Sequence, residues 1–322
     1  MQESRCPPEL AIEPEAAAER AARLIQRAAR ALRRSGAAVG LSGGLDSAVV
    51  AALLCRALGP QKVLALIMPE RDSDPALMRS AWALAGQLGL RRKVIRLTPA
   101  LTLLGAYFHP PTWLLPTRGL RRRAIGHYYR RFRALLPAGE SPFGALLLGA
   151  EGLRGPWLND AVAYHRVKVR LRMVVLHYCA ERENLLVAGT CNRTELAIGL
   201  FVKHGDAAAD VFPLCQLYKT QVYQLGQHLE LPQEILERPP TPDLLPGLDD
   251  ELIIGLGYEL LDRILVRLEQ GLGVQAIAAE LGVPVEEVRY VQRLTRRAGH
   301  MRCARPGAPS WAPGRRADGA VY

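Results

Sequence analysis

The sequence predicts an α/β fold, a doubly wound parallel sheet flanked by helices and completed by C-terminal helices. Three observations carry this expectation. Short apolar runs alternate with helical segments through the first third of the chain, the pattern of parallel strands joined by crossover helices. Apolar residues make up 49% of the 322 residues, ample for a core. A glycine-containing turn follows the first strand and opens a helix, where ligands sit at the carboxyl ends of strands in such sheets.

Residues 13–34 are alanine-rich, with acids early and arginines late, the order that complements a helix dipole. Ala37–Leu41 reads as a buried strand, and Ser47–Leu58 as an apolar helix stopped by Gly59-Pro60. Lys62–Met68 is a second buried strand, Pro75–Leu88 a helix ended by Gly89, and Lys93–Leu97 a third strand. Residues 99–160 interrupt the alternation with prolines and an arginine cluster from Arg118 to Arg133, and read as a basic insertion. Regularity resumes with a helix over Tyr164–Arg182, a strand over Leu185–Gly189 and a helix over Leu217–Leu229. A Pro-rich turn, Arg238–Gly247, then precedes a helix over Asp249–Glu269 and a helix–turn–helix over 274–297. Residues 1–303 form one expected domain, and 304–322 a flexible tail.

Composition narrows the function classes. No run reaches ~18 apolar residues, so a membrane span is excluded, and the mixed-charge N-terminus is no signal peptide; the expected location is cytoplasmic. The six cysteines are scattered without paired spacing, which argues against zinc or a disulfide framework. A net charge of +11 suits nucleic acid or polyanionic small molecules and does not choose between them.

Chemistry concentrates in Gly40, Leu41, Ser42, Gly43, Gly44, Leu45, Asp46 and Ser47. A glycine pair between a strand and a helix turns backbone N–H groups toward an anion at the positive helix end. The serines add hydroxyl donors, and Asp46 is placed to hold a magnesium ion against the same phosphates. No lysine follows the glycines, so this is not the common GxxxxGK[ST] loop.

The Ser-Gly-Gly-Leu-Asp-Ser run resembles the pyrophosphate loop of the ATP pyrophosphatase superfamily, whose members adenylylate an oxygen of their substrate. Val169 to Met173, Gly189 to Glu195, Phe201 to Asp210, Pro213-Leu214, Leu217 to Lys219 and Arg238 to Leu244 follow in an order that looks like NAD synthetase of the ammonia-dependent kind. That resemblance implies an adenine nucleotide alpha hydrolase-like fold and amidation of deamido-NAD through an adenylyl intermediate, giving NAD, AMP and pyrophosphate. It implies that the Gly40–Ser47 loop, Thr190, Lys219 and Thr241 contact ATP. Asp46 and Glu195 would hold Mg2+, Asp46 and Lys219 would be catalytic, and Arg170, Lys203, Asp210 and His300 would contact deamido-NAD. A homodimer is implied as well. The segment before Ala37 is too short for a glutaminase domain, so free ammonia, or ammonia from a separate subunit, is the expected nitrogen source.

These residue types suit the chemistry, because cations offset the repulsion between a carboxylate and a polyphosphate, each contact being worth roughly 10²–10³ in rate. Each also has a plainer reading: Glu195 as a helix-start acid, the lysines as surface residues, Asp206 and Asp210 as turn caps. Arg170 and Arg172 lie two apart on a helix and do not share one face. The family's usual Gly-Gly is here Ala207-Ala208, and Met301 follows His300 where the family often has lysine. A left-handed turn at the alanines would be strained. These departures leave a catalytically impaired homologue as one alternative, and the +11 charge leaves a tRNA-modifying relative as another, although the paired cysteines common in its sulfur-transferring members are absent. A DNA-binding regulator fits less well, because Glu286 and Glu287 open the would-be recognition helix.

Overall fold

A computed structural model describes residues 7–108, 114–136, 140–148, 156–241 and 247–302 of the chain. In chain order the elements are α1 (Pro14–Ala31), β1 (Gly36–Gly40), α2 (Leu45–Leu58), β2 (Val63–Ile67), α3 (Pro75–Gln87), β3 (Arg91–Val94), α4 (Thr98–Leu103), α5 (Arg118–Ala134), α6 (Pro142–Leu148), α7 (Pro156–Arg182), β4 (Leu185–Ala188), α8 (Arg193–Ile198), α9 (Lys219–His228), α10 (Gln233–Leu236), α11 (Asp250–Ile254), α12 (Tyr258–Glu269), α13 (Val274–Leu281) and α14 (Val285–Arg302).

The strands pair in parallel in the order β3-β2-β1-β4. Ala37 lies opposite Val63 on one side, and Gly36 opposite Leu185 on the other. The two-residue period of the strands sorts their side chains onto two faces. Ala37, Val39, Val63, Ala65 and Ile67 pack with α1, α2 and α9, while Ala38, Leu64 and Leu66 pack with α4 and α7. Both faces are covered, which is why β1, β2 and β4 read as continuous apolar runs. The edge strand β3 is exposed and carries Arg91, Arg92 and Lys93, charges that discourage edge-to-edge pairing. A third cluster, built from α8, α11, α12, α13 and α14, forms the C-terminal helical layer.

Three expectations change. The helix expected over Asp249–Glu269 is two helices, because Gly255 takes a left-handed conformation (φ 86°) that caps α11, and α12 starts anew at Tyr258. The third strand, expected over Lys93–Leu97, runs earlier, over Arg91–Val94. The described parts of 99–160 are largely helical, and the first turn of α5 is fastened to the loop after β2. Arg118 Nη2 donates to Asp74 Oδ2 at 3.0 Å, and Arg121 Nε lies 2.6 Å from Asp72 Oδ1. Arg122, Arg123, Arg130, Arg131 and Arg133 of the same helix are exposed. No described helix is long and apolar enough to cross a membrane. Residues 304–322 lie outside the described residues.

Candidate active site

The chain leaves β1 toward β2 on one side and reaches β4 on the other, so the carboxyl ends of β1 and β4 flank a topological switch point. The loop from Ser42 to Ser47 sits there. Its hydroxyls lace it into one conformation: Ser47 Oγ donates to Gly44 O at 3.0 Å and accepts from Ser42 N–H at 3.2 Å, and Gly44 N–H donates to Ser42 Oγ at 3.2 Å. Gly43 has φ 84°, and a Cβ there would lie 2.2 Å from the Leu77 carbonyl oxygen, so only glycine lets the loop pass α3 this closely. Gly44 is the N-cap of α2, whose free N–H groups therefore face the loop.

Asp46, in the first turn of α2, joins this loop to the second half of the chain. It accepts from Asn192 Nδ2 at 2.9 Å and pairs with Lys219 Nζ. Asn192 forms a reciprocal cap with Glu195: the Asn192 side chain accepts from Glu195 N–H, and the Glu195 carboxylate accepts from Asn192 N–H, both at 3.0 Å. Thr194 carries the link onward, accepting from Lys219 N–H at 2.9 Å and donating to Asp262 Oδ1 at 2.5 Å. Six residues from four elements thus fix one another.

The electrostatics follow from this crowding. Burial would lower Lys219, which is only 6% exposed, but Asp46, Glu195 and Asp250 surround it and hold it above the ordinary lysine value. Burial and the neighbouring Asp46 charge push Glu195 well above the carboxylate range. Burial likewise raises Asp250 and Asp206, each to about 6. Asp250 also accepts from the Tyr258 hydroxyl at 3.0 Å. The centre is a buried ammonium among carboxylates, beside a glycine loop at a helix N-terminus.

Asp46, Glu195, Lys219, Asp206, Asp250 and Tyr258 line one cavity of about 1210 Å³, larger than the roughly 300–1,000 Å³ typical of a single small-molecule site. The structure brings Gly40, Leu41, Ser42, Gly44, Leu45, Asp46, Ser47, Thr190, Glu195, Lys219 and Thr241 to its wall. Gly43 lies behind it, its carbonyl accepting from Arg238 Nη1 at 3.2 Å. Arg170 is exposed and donates to the Lys203 carbonyl at 3.3 Å, so both lie beside the cavity rather than on it. Asp210 accepts from Val187 N–H at 2.8 Å, tying its loop to β4. The His300 side chain lies outside the described residues, while Met301 reaches the cavity. Ala207 and Ala208 take no left-handed conformation; the positive φ of this loop falls on His204 (60°), so the missing glycines cost no strain there.

Several site residues escape sequence reasoning. Asn192 reads as an ordinary helix cap, and its second bond, to Asp46, spans 146 residues. Asp250 reads as a helix-start acid. Arg172, set aside in favour of Arg170, lines the cavity with His165 and Arg166. The only signal available for these residues is their placement on a helix face, which tertiary packing alone turns inward.

The chain matches the NAD synthase family over residues 18–129 and 156–304. It is 40% identical over 261 residues to the NH(3)-dependent NAD(+) synthetase of Coprothermobacter proteolyticus, covering 80% of this chain and 87% of the relative. It is 39% identical over 261 residues to the enzyme of that name from Thermotoga maritima, with the same coverage. Among solved structures, NMN synthetase from Francisella tularensis superposes with a TM-score of 0.65 at 25% identity, covering 92% of this chain and all of that one. The NH3-dependent NAD synthetase of Campylobacter jejuni shares the fold, with a TM-score of 0.60 over 92% of this chain and 99% of its own. With the loop, the Asp46–Lys219 centre and the parallel sheet in place, these matches establish that the chain belongs to the NAD synthase family.

Proposed function

We infer that the cavity performs ATP-dependent amidation of the nicotinate carboxylate of deamido-NAD with ammonia. The observation that carries this is the joining of a phosphate loop to a buried lysine among carboxylates, within one cavity large enough for two nucleotides. In the first step a carboxylate oxygen bonds to the α-phosphorus of ATP, the α–β phosphoanhydride bond breaks, and pyrophosphate leaves. In the second, ammonia bonds to the acyl carbon and AMP departs. The loop N–H groups orient the phosphates, and Lys219 offsets negative charge where two anions meet. The nitrogen loses a proton, and Asp206 and Asp250, both raised to about 6 by burial, are the cavity carboxyls poised near neutrality to accept it.

Asp46 and Glu195 suit Mg2+. They bring two carboxylates together at the loop; burial first and the Asp46 charge second raise Glu195, and a divalent cation would relieve that repulsion. Among the described residues no group of three His, Cys, Asp or Glu converges as an all-protein cage. Mg2+ is commonly held by one or two carboxylates plus substrate phosphates. When bound, it would supply charge neutralisation at the triphosphate. We further assign a homodimer: Leu103 at the end of α4, Leu104 and Phe108 after it, and Val174 and Tyr178 on α7 expose apolar surface suited to a second copy.

The test is turnover by the purified protein with deamido-NAD, ATP, Mg2+ and ammonium. NAD and AMP are expected in equal amounts. Amidation of nicotinate mononucleotide in preference to the dinucleotide would redirect the assignment toward the activity named for the Francisella relative, and absence of both products would sink it.

A further inference from the structure

The α7 wall of the cavity carries a basic group that the amidation chemistry does not use. His165, Val169, Arg172 and Leu176 follow one another at three- and four-residue steps and all line the cavity, forming a stripe along one helix face, with Arg166 at its flank. Arg172 is secured, its Nε donating to the Met68 carbonyl at 3.4 Å. Arg166 is different. It is partly buried, and no described residue gives it an ion pair or a hydrogen bond. Burial, followed by the nearby Arg170, lowers its pKa, as expected for a desolvated cation without a counter-ion. His165 is pushed down to about 4 by burial and by Lys168, Arg166 and Arg172, so it is neutral at physiological pH and adds no repulsion toward a phosphate. Of the cavity carboxylates, Asp46, Glu195 and Asp250 gather around Lys219, and Asp160, on the same helix as Arg166, also lines the cavity without an ion pair to it.

An unpaired guanidinium facing a ligand cavity is costly by itself and becomes favourable when an anion fills its fork. We propose that Arg166, backed by Arg172, is the specificity subsite for a phosphate of the pyridine nucleotide substrate, separate from the phosphate loop that takes ATP. This rests on the amidation reading for the identity of the nucleotide, but the site itself is defined by its own residues. Arginine suits this role because its planar fork meets two phosphate oxygens at once, whereas a lysine offers a point charge.

The experiment measures binding and turnover separately. Calorimetric titration of deamido-NAD and of ATP, each alone, into wild type, Arg166→Met and Arg166→Lys comes first. The KM and kcat of each protein for deamido-NAD follow. Arg166→Met should weaken deamido-NAD binding roughly 10- to 100-fold, the effect of losing one charge-assisted contact. KM should rise in parallel, with kcat and ATP binding unchanged within about twofold; Arg166→Lys should recover part of the loss. Retained ATP binding and an unchanged melting temperature show that the variant folds. Wild-type affinity for deamido-NAD in Arg166→Met overturns the subsite and leaves the amidation reading standing. Arginine-dependent binding without turnover in wild type upholds the subsite and removes the amidation reading. No binding of deamido-NAD to wild type overturns both.

Discussion

Two buried charge clusters sit at the carboxyl end of the same sheet, and they are built on opposite principles. Around Lys219, carboxylates outnumber the cation: Asp46, Glu195 and Asp250 share one ammonium, and three of the carboxyls of this half are displaced upward by burial. Around Lys168, which is 0% exposed, the charges are matched. Its Nζ lies 2.9 Å from Glu70 Oε1 and 2.7 Å from Asp72 Oδ2, Arg121 takes the other Asp72 oxygen, and the Tyr107 hydroxyl donates to Glu70 at 3.0 Å. Although burial opposes it, Lys168 and its companions hold Asp72 below its usual value. The difference is instructive: a matched cluster fixes α5 and α7 against the β2 loop, whereas an unbalanced one keeps perturbed carboxyls at a cavity wall, the mark of a functional site rather than a structural one.

The largest effect should come from neutralising the unbalanced cluster. Asp46→Asn is expected to lower kcat by about 10³ while leaving the melting temperature nearly unchanged, because Glu195 and Asp250 still compensate Lys219. Retained turnover would contradict a functional Asp46. Breaking the matched cluster should do the reverse. Lys168→Met leaves Glu70 and Asp72 short of a counter-charge and should destabilise the fold by roughly 3–5 kcal/mol in a denaturant titration. A loss within about 0.5 kcal/mol would erase the contrast.

Asp262 sharpens it through pH. Burial raises its carboxyl to about 6, despite bonds from Thr194 Oγ1 and Thr220 N–H. A carboxyl raised in the folded state contributes stability that is fully present below its unfolded value near 4 and is lost as pH rises through about 6. Between those limits the Asp262→Asn variant should gain on wild type by about 3 kcal/mol, and unfolding curves at pH 4 and pH 7 measure the change. A constant difference would contradict the shift. Gly43→Ala, strained at φ 84° and in collision with the Leu77 carbonyl, should cost about 1–3 kcal/mol and weaken ATP binding. The smallest effect belongs to the outer face of α5. Replacing exposed Arg130, Arg131 and Arg133 with alanine should change KM less than about twofold, each surface charge contributing ~0.5 kcal/mol or less; a larger, salt-sensitive loss would revive a polyanion-binding role for that face.

Much of the parallel sheet is legible in the sequence because β1, β2 and β4 are apolar runs bounded by glycine and charge, and nothing distant is needed to recognise them. The Gly43–Asp46 turn is legible for the same local reason, since only glycine tolerates its backbone. The helix end at Gly255 is a local signal too, but the apolar periodicity running through it conceals the break. The facing of α7 is another matter. Arg170 and Arg172 differ in sequence by nothing that tells which turns inward, and packing against β1 and β4 decides it.

By itself, then, the sequence determined the α/β class, the glycine turn after β1 and the family, because these depend on short-range patterns of apolarity, glycine and acid. Only the tertiary structure decided that Asn192 holds Asp46, that Arg118 and Arg121 are partly withdrawn from solvent to fasten a basic helix, and that Arg166 rather than Arg170 meets the cavity. The physical reason is that charge acts through distance and burial. Both are properties of residues brought together across the fold and do not follow from their spacing along the chain.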